Sequence, residues 1–169
     1  MNEIIDFYTN KPTKSKHTLN EILVQRDDWL EACHDYVQWL FPIHTLSHFN
    51  ENAPILTKEI AAEFVGNSEA MANFDKAIVR MLSFLGINYK AGALSFADNY
   101  DFQKYTWNEF NHNSLRITRM LTSMSILGRQ DLAIKVYTFM FSTLMSRSDR
   151  SRSLNYWADA LNGFNKSLD

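Results

Sequence analysis

Hydrophobic residues recur along most of this chain with the three- to four-residue spacing that is typical of half-buried helices. This spacing predicts helices over 18–24, 29–41, 57–64, 68–85, 113–127, 131–145 and 150–164. Residues 87–106 give no clear pattern and are read mainly as loop. No segment shows the sustained alternation of a half-buried strand. We therefore predict an all-α fold, a single-domain bundle of six or seven helices spanning residues 1–169.

Polar residues and glycines mark several predicted helix ends. Capping-box patterns at 18–21 and 28–31 indicate the starts of two helices. Asn113 or Ser114 is expected to cap the helix that follows it. Gly86 is expected to end the helix before it, because glycine readily adopts the left-handed conformation of a helix terminus.

The predicted helix 131–145 is apolar almost all round. One apolar side carries Val136, Phe139 and Met140. The other side carries Ile134, Phe141 and Met145. A helix of this kind is central to a bundle or lies in an interface between copies of the chain. A homo-oligomer formed through helix 131–145 is one interpretation.

Composition narrows the class of protein. The chain has 169 residues, of which 46% are hydrophobic, and this apolar surface is enough to exclude a disordered chain. A formal net charge of −2 provides no global basic field for nucleic acid. The only cysteine is Cys33, which excludes a disulfide framework and a zinc site built from cysteines. The start of the chain lacks a basic signal-peptide region and no apolar run is long enough to span a membrane, so we expect a cytoplasmic protein.

The predicted helix 29–41 carries the first candidate residues. Cys33 falls on its apolar face and is expected to be a buried, inert thiol. His34 and Gln38 lie on the boundary of that face, where a structural hydrogen bond is more typical than acid–base chemistry. Trp39 falls off the face, which indicates a second packing surface or a contact with a ligand.

A second candidate set follows one polar stripe of the helix 113–127. His112, Arg116 and Arg119 share this stripe. Two arginines about one turn apart can clamp a carboxylate or a phosphate. The alternative is that they pair within the fold with an acid such as Glu31, Asp35 or Glu109.

Two further patterns suggest metal or nucleic-acid binding but fit ordinary structure better. His44 and His48 have a ligand-like spacing, yet they follow Pro42 in a predicted loop without a suitably placed carboxylate. We therefore expect no metal and no cofactor. The three arginines of 147–152 suit a solvated loop between helices better than an RNA-binding patch, and RNA contact remains the alternative.

Two motifs together resemble a known family. The string Trp-Leu-Glu-Ala-Cys-His-Asp-Tyr-Val-Gln-Trp-Leu-Phe-Pro at 29–42 resembles the first signature of the opioid growth factor receptor conserved region. The segment 52–57 follows at the family's position, and 112–121 resembles its second signature. The resemblance covers about residues 7–140, and the helix predicted over 150–164 is expected to pack on that region.

The resemblance implies a helical domain. In animal members this domain belongs to a receptor for an endogenous opioid peptide, an enkephalin, that restrains cell growth, found at the nucleus and its membranes. The present sequence carries no repeats and no nuclear-localisation run. It therefore looks like a stand-alone microbial member of the family.

These observations converge on one hypothesis about function. If the two motif helices pack with their polar edges together, they line a groove with an aromatic wall. We expect a non-enzymatic module that binds a peptide or protein segment there, with Arg116 or Arg119 holding an acidic group and Trp39 supplying apolar area. The candidate ligand-binding residues are His34, Gln38, Trp39, His112, Arg116 and Arg119.

An enzyme is the alternative. It would act on an acidic or phosphorylated small molecule, with His34 or His112 as the general acid or base. The sequence contains neither a glycine-rich phosphate loop nor a nucleophile motif, so no catalytic residue is assigned.

Overall fold

The computed structural model describes residues 2–47, 50, 52–98, 111–146 and 152–165. This part of the chain is mostly helical, with nine α-helices and one two-stranded sheet. The chain divides into two compact units, Met1–Phe84 and Leu85–Asp169, and each is described by itself. The single-domain expectation stays a prediction.

The first unit contains six helices. They are α1 (Glu3–Tyr8), α2 (Leu19–Leu23), α3 (Asp27–Ala32), α4 (Val37–Leu40), α5 (Lys58–Gly66) and α6 (Ser68–Phe84). Helix α6 is the organising element, because α1, α2 and α5 all pack against it. Its spacing of apolar residues matches the helical repeat and buries Phe74, Ile78 and Leu82 completely.

An aromatic cluster joins α1 to α5 and α6 in this unit. The ring of Tyr8 meets Phe64 and Phe74 edge-on, with centroid distances of 5.0 and 5.8 Å. Its hydroxyl donates to the main-chain oxygen of Leu40. The side-chain amide of Asn73 on α6 donates to the main-chain oxygen of Tyr8 at 2.7 Å. Complete burial raises the pKa of Tyr8 well above its usual value, so this phenol stays a hydrogen-bond donor.

The second unit begins with a β-hairpin. Strands β1 (Ile87–Lys90) and β2 (Ala93–Phe96) pair antiparallel, with Ile87 opposite Phe96. The two residues between them, Ala91 and Gly92, both have positive φ, as a tight hairpin turn requires.

Three longer helices complete the second unit. They are α7 (His112–Ile126), α8 (Gln130–Ser146) and α9 (Ser153–Ala160), followed by a 3₁₀ turn at Gly163–Asn165. Helix α7 packs against both α8 and α9. Trp157 on α9 is fully buried, and its ring N–H donates to the main-chain oxygen of Ser114 at 3.1 Å.

Several sequence predictions are confirmed. Helices α2, α5, α6, α7 and α8 lie where the hydrophobic spacing predicts them. Thr18 and Glu21 form a complete capping box, and Thr57, the first residue of the helix predicted over 57–64, caps α5. Gly86 follows α6 with a φ of 76°, a conformation that costs glycine little.

The prediction of one helix over 29–41 is wrong. The chain leaves the helix at Cys33, whose ψ of 135° is extended, and starts α4 only at Val37. The Tyr36 hydroxyl donates to Leu30 O at 3.1 Å, which is the carbonyl that His34 N would take in a continuous helix. Side chains thus satisfy groups that the break exposes, and the spacing of apolar residues alone cannot show this.

Other expectations also need correction. Helix α1 is present because four of its six residues are buried hydrophobic positions, although the sequence pattern was too short to indicate it. With the break above, it raises the number of helices beyond six or seven. The hairpin 87–96 adds strands to a fold expected to be all-α.

Two predicted helix caps differ from the structure. Helix α3 follows Arg26 with no side-chain cap, so the 28–31 pattern forms no capping box. Helix α7 is capped by Asn111, which accepts from the backbone N–H groups of Asn113 and Ser114. These two residues are therefore inside the helix.

Helix α8 has one buried and one exposed apolar side. Ala133, Val136 and Met140 are completely buried. Ile134, Phe141 and Met145 are each about two-fifths exposed, with relative exposures of 44%, 38% and 46%. The homo-oligomer through this helix stays a prediction. Within the described ranges, no helix combines the length and apolar character needed to cross a bilayer, and the expected cytoplasmic location stays a prediction.

The buried phenol of Tyr8 generates a test of the first unit. Tyr8→Phe removes the donor to Leu40 O and leaves that carbonyl without this bond. We expect a loss of about 1–3 kcal/mol in the free energy of unfolding. Chemical denaturation of the variant measures it. Tyr156→Phe is the matched control, because Tyr156 is 52% exposed. Removing its hydroxyl should lower the free energy of unfolding by less than about 0.5 kcal/mol. Equal stability of both variants would contradict the structural role of the Tyr8 hydroxyl.

Candidate functional site

A solvent-open pocket lies in the first unit. Its volume of about 270 Å³ includes the open solvent at its mouth. It is lined chiefly by charged and polar residues, namely Lys14, Lys16, His17, Asp35 and Asn50, together with the largely buried Trp39. This lining suits a polar or charged ligand group better than an apolar one.

Three chain segments build the pocket. The first is the irregular stretch between α1 and α2, which brings Lys14, Lys16 and His17. The second is the break between α3 and α4, which presents Asp35. The third supplies Asn50, whose amide donates to the main-chain oxygen of Asp35 at 3.2 Å and ties the segment after α4 to the break.

Asp35 is the electrostatic centre of the pocket. Its Oδ2 accepts from Lys16 Nζ at 2.7 Å, and its Oδ1 accepts from Cys33 Sγ at 3.0 Å. The hydrogen bond from Lys16, followed by that from Cys33, lowers the pKa of this carboxyl. Asp35 is therefore ionised at neutral pH, and the same contact raises the pKa of Lys16.

Cys33 is placed differently from the sequence expectation. It is half-buried at the end of α3, where its side chain meets Asp35, and does not lie on a buried helix face. Partial burial, followed by the hydrogen bond to Asp35, raises the pKa of the thiol. The thiol is therefore protonated at neutral pH, as expected for an inert rather than a nucleophilic cysteine.

His17 completes a cluster with Cys33 and Asp35. One ligand-type atom from each of the three lies within 4.8 Å of the other two. The His17 ring also meets the Trp29 ring edge-on at 5.1 Å. This cluster could not be predicted from the sequence, because His17 and Cys33 are distant in the chain and the break at Cys33 brings the side chains together.

The other candidates from the first motif lie in α4 and just before it. Trp39 is 3% exposed and packs at a 40° tilt against Phe7, so it forms a packing surface, and it is also among the residues that line the pocket. Gln38 is buried, and its amide nitrogen, turned towards the main chain, donates to His34 O and Asp35 O at 3.1 Å each. His34 is exposed.

The candidates from the second motif lie along α7 in the second unit. His112 is exposed at the start of the helix. Arg116 is only 4% exposed, and its Nη1 donates to Asn113 Oδ1 at 3.2 Å. Arg119 is half-buried, and desolvation lowers its pKa to about 10, so the guanidinium remains charged at neutral pH.

The structure thus describes the six candidates as two groups, one in each unit. His34, Gln38 and Trp39 belong to the first, and His112, Arg116 and Arg119 to the second. A groove shared by both groups stays a prediction. Glu109 and His48 lie outside the described residues, as do residues 147–151 of the arginine-containing segment.

The burial of Arg116 generates a prediction about stability. Arg116→Ala removes a charged donor from a buried hydrogen bond to Asn113. We expect the free energy of unfolding to fall by about 1.5–3 kcal/mol. The midpoint of thermal unfolding should fall by several degrees. Leu115→Ala is the control on the same turn, because Leu115 is 50% exposed. If Arg116→Ala melts like the wild type, the side chain contributes nothing to the fold.

The ion pair at Asp35 generates a prediction about pH. Lys16→Met removes the main cause of the lowered pKa, so the pKa of Asp35 should rise towards the ordinary value of about 3.9. A depressed native pKa stabilises the fold above the unfolded-state pKa, and this contribution is lost as the pH falls through the native pKa. The variant should therefore lose less stability than the wild type on acidification. Carboxyl NMR titration measures the shift. Lys11→Met is the control, since Lys11 pairs with Asp6 instead. If the pKa of Asp35 is unchanged in Lys16→Met, Lys16 is not the main cause of its lowered value.

Comparisons with known proteins identify the family of the chain. The family model described as the opioid growth factor receptor conserved region matches residues 2–166. The opioid growth factor receptor of Mus musculus is 34% identical over 141 residues, which is 79% of this chain and 22% of the mouse protein. Opioid growth factor receptor-like protein 1 is 36% identical in Mus musculus and 39% identical in Xenopus tropicalis, over 79% and 74% of this chain.

The matched region is a small part of these relatives. It spans 30% of the mouse receptor-like protein and 26% of the Xenopus one. No solved structure matches the chain significantly. The family model nevertheless covers nearly all of the chain, including both motifs at 29–42 and 112–121. The chain therefore belongs to the opioid growth factor receptor family.

Proposed function

We propose that this chain is a non-enzymatic binding module that holds a peptide or protein segment through an acidic group. The observation that carries the proposal is the pocket of the first unit, where two lysines lie beside the side-chain amides of Asn50 and Asn52. The names of the relatives support a receptor role, since three of them are called receptors for a growth factor.

The lysines of the pocket suit an acidic ligand group. Lys14 Nζ lies 3.5 Å from Glu3 Oε1, and Lys16 Nζ lies 2.7 Å from Asp35 Oδ2. Both lysine side chains are about three-quarters exposed. Ion pairs this exposed contribute little to stability, so a ligand carboxylate can share or replace the internal acid at small cost.

The aromatic residues of the pocket expose little surface to a ligand. Trp39 and Tyr36 are among its lining residues, but their relative exposures are only 3% and 1%. A ligand therefore meets mainly polar groups there, and the proposal depends on the acidic group of the segment, such as a C-terminal carboxylate.

The second motif contributes a further cation to the proposal. Arg119 remains charged although it is half-buried, and a partly desolvated guanidinium binds a carboxylate more strongly than a fully hydrated lysine does. We include Arg119 and the exposed His112 as candidates for contact with the same class of ligand. Arg116 is included with them, and its buried bond to Asn113 gives it a structural role as well.

Binding to a peptide panel tests the proposal. Fluorescently labelled peptides with a free C-terminal carboxylate are compared with their amidated counterparts by anisotropy titration. We expect the free acid to bind more tightly, and the double variant Lys14→Ala with Lys16→Ala to weaken its binding about tenfold or more. That factor corresponds to about 1.4 kcal/mol, within the range of one or two charge-assisted hydrogen bonds.

Matched controls distinguish binding in the pocket from general attraction between the peptide and positive charges on the protein. Lys90→Ala removes an exposed lysine at the end of β1, which does not line the pocket, and should leave the affinity unchanged. Arg119→Ala tests the second motif in the same titration. Equal binding of acid and amide, or an unchanged affinity in the double lysine variant, would refute the pocket as the binding site.

A separate set of small molecules addresses the enzyme alternative. Phosphorylated metabolites are incubated with the protein and analysed for turnover. If one is consumed, and His34→Ala or His112→Ala abolishes the turnover while the fold is retained, the acid–base hypothesis replaces the binding module.

A further inference from the structure

We propose that His17, Cys33 and Asp35 form a binding site for a divalent transition metal of the zinc class. The proposal goes beyond peptide binding, because the site would bind a metal ion whether or not a peptide is present. It depends on the convergence of an imidazole, a thiol and a carboxylate, with their ligand-type atoms within 4.8 Å of one another. A single cysteine cannot build a zinc site from thiols, but here two other residues supply the remaining ligands.

The ligand types match this class of metal. Zinc is bound by cysteine sulfur, histidine nitrogen and aspartate oxygen at about 2.0–2.3 Å. Ligand atoms around a tetrahedral ion at those distances lie roughly 3.3–3.8 Å apart. Cys33 Sγ and Asp35 Oδ1 are already 3.0 Å apart. To surround an ion, these two atoms would separate slightly and the His17 nitrogen, which lies within 4.8 Å of both, would approach them.

The neighbours of the cluster already orient its ligands. Lys16 holds Asp35 Oδ2 at 2.7 Å, which directs Oδ1 towards Cys33. The Trp29 ring packs edge-on against His17 and limits rotation of the imidazole. Hydrogen bonds and packing of this kind around metal ligands position them and raise metal affinity.

Metal binding has a defined proton balance. Without an ion, the protonated Cys33 thiol donates a hydrogen bond to Asp35 Oδ1. The ion takes the place of that proton: the S–H bond breaks, sulfur binds the metal as a thiolate, and the proton leaves to solvent. His17 binds as neutral imidazole, and Lys16 keeps its bond to the other carboxylate oxygen.

Three protein ligands leave one position of a tetrahedral ion for another group. His17 and Asp35 also line the pocket described above, so solvent or an anionic group in the pocket can fill that position. An ion there would also add positive charge beside the two lysines.

Cobalt titration of the reduced protein tests the site without any peptide. Co²⁺ reports thiolate coordination by a sulfur-to-metal charge-transfer absorption, and Zn²⁺ should displace it. We expect one Co²⁺ per chain, with this absorption and with release of about one proton at neutral pH. Cys33→Ser should remove the absorption, and both His17→Gln and Asp35→Asn should weaken binding at least about tenfold.

His44→Gln is the matched control, because His44 is a half-buried histidine of the same unit outside the cluster. Its affinity for cobalt should equal that of the wild type. Metal-free thermal unfolding of each variant verifies that the fold is retained, and if Cys33→Ser does not fold, Asp35→Asn and His17→Gln carry the test. Cobalt binding without the thiolate absorption, unchanged affinity in His17→Gln, or loss of binding in His44→Gln would each overturn the site. Failure of metal binding leaves the peptide titration unaffected, so the two proposals fail separately.

Discussion

The extended backbone at Cys33 is the constraint on which the first unit depends. A helix continuing through this position would direct Cys33 and Asp35 along its own surface and would occupy the carbonyl of Leu30. Because the chain turns there instead, Tyr36 bonds Leu30 O and Asp35 meets both Cys33 and Lys16. The pocket and the cluster at His17 both result from this one departure from the helix.

The break is stable because its polar groups are satisfied from several directions. Asn50 and Gln38 both donate to the main-chain oxygen of Asp35, and Gln38 also donates to that of His34. Unsatisfied carbonyls in such a half-buried turn would cost about 1–3 kcal/mol each. The motif residue Gln38 therefore has a structural explanation that does not depend on a ligand.

Much of the helical framework could be predicted from the sequence, but most of the candidate site could not. The long helices α6, α7 and α8 follow from apolar spacing, since burial of one face dominates their energetics. The break at Cys33 escaped prediction because its stabilising bonds come from side chains that are distant in sequence, such as Asn50. The same reason applies to His17. Its partners are brought to it by tertiary structure, and a single sequence without such contacts shows only an isolated histidine.

The bond from Asn73 to Tyr8 has a consequence for the order in which the unit can form. It joins residues 65 positions apart, and the aromatic rings around Tyr8 belong to α5 and α6. Helix α1 is too short to persist alone in water. During synthesis, its contacts with α4 can form before those with α6, because the ribosome releases α6 some sixty residues after α1. The N-terminal helix is translated first, yet its packing is completed only when the last helix of its unit has left the ribosome.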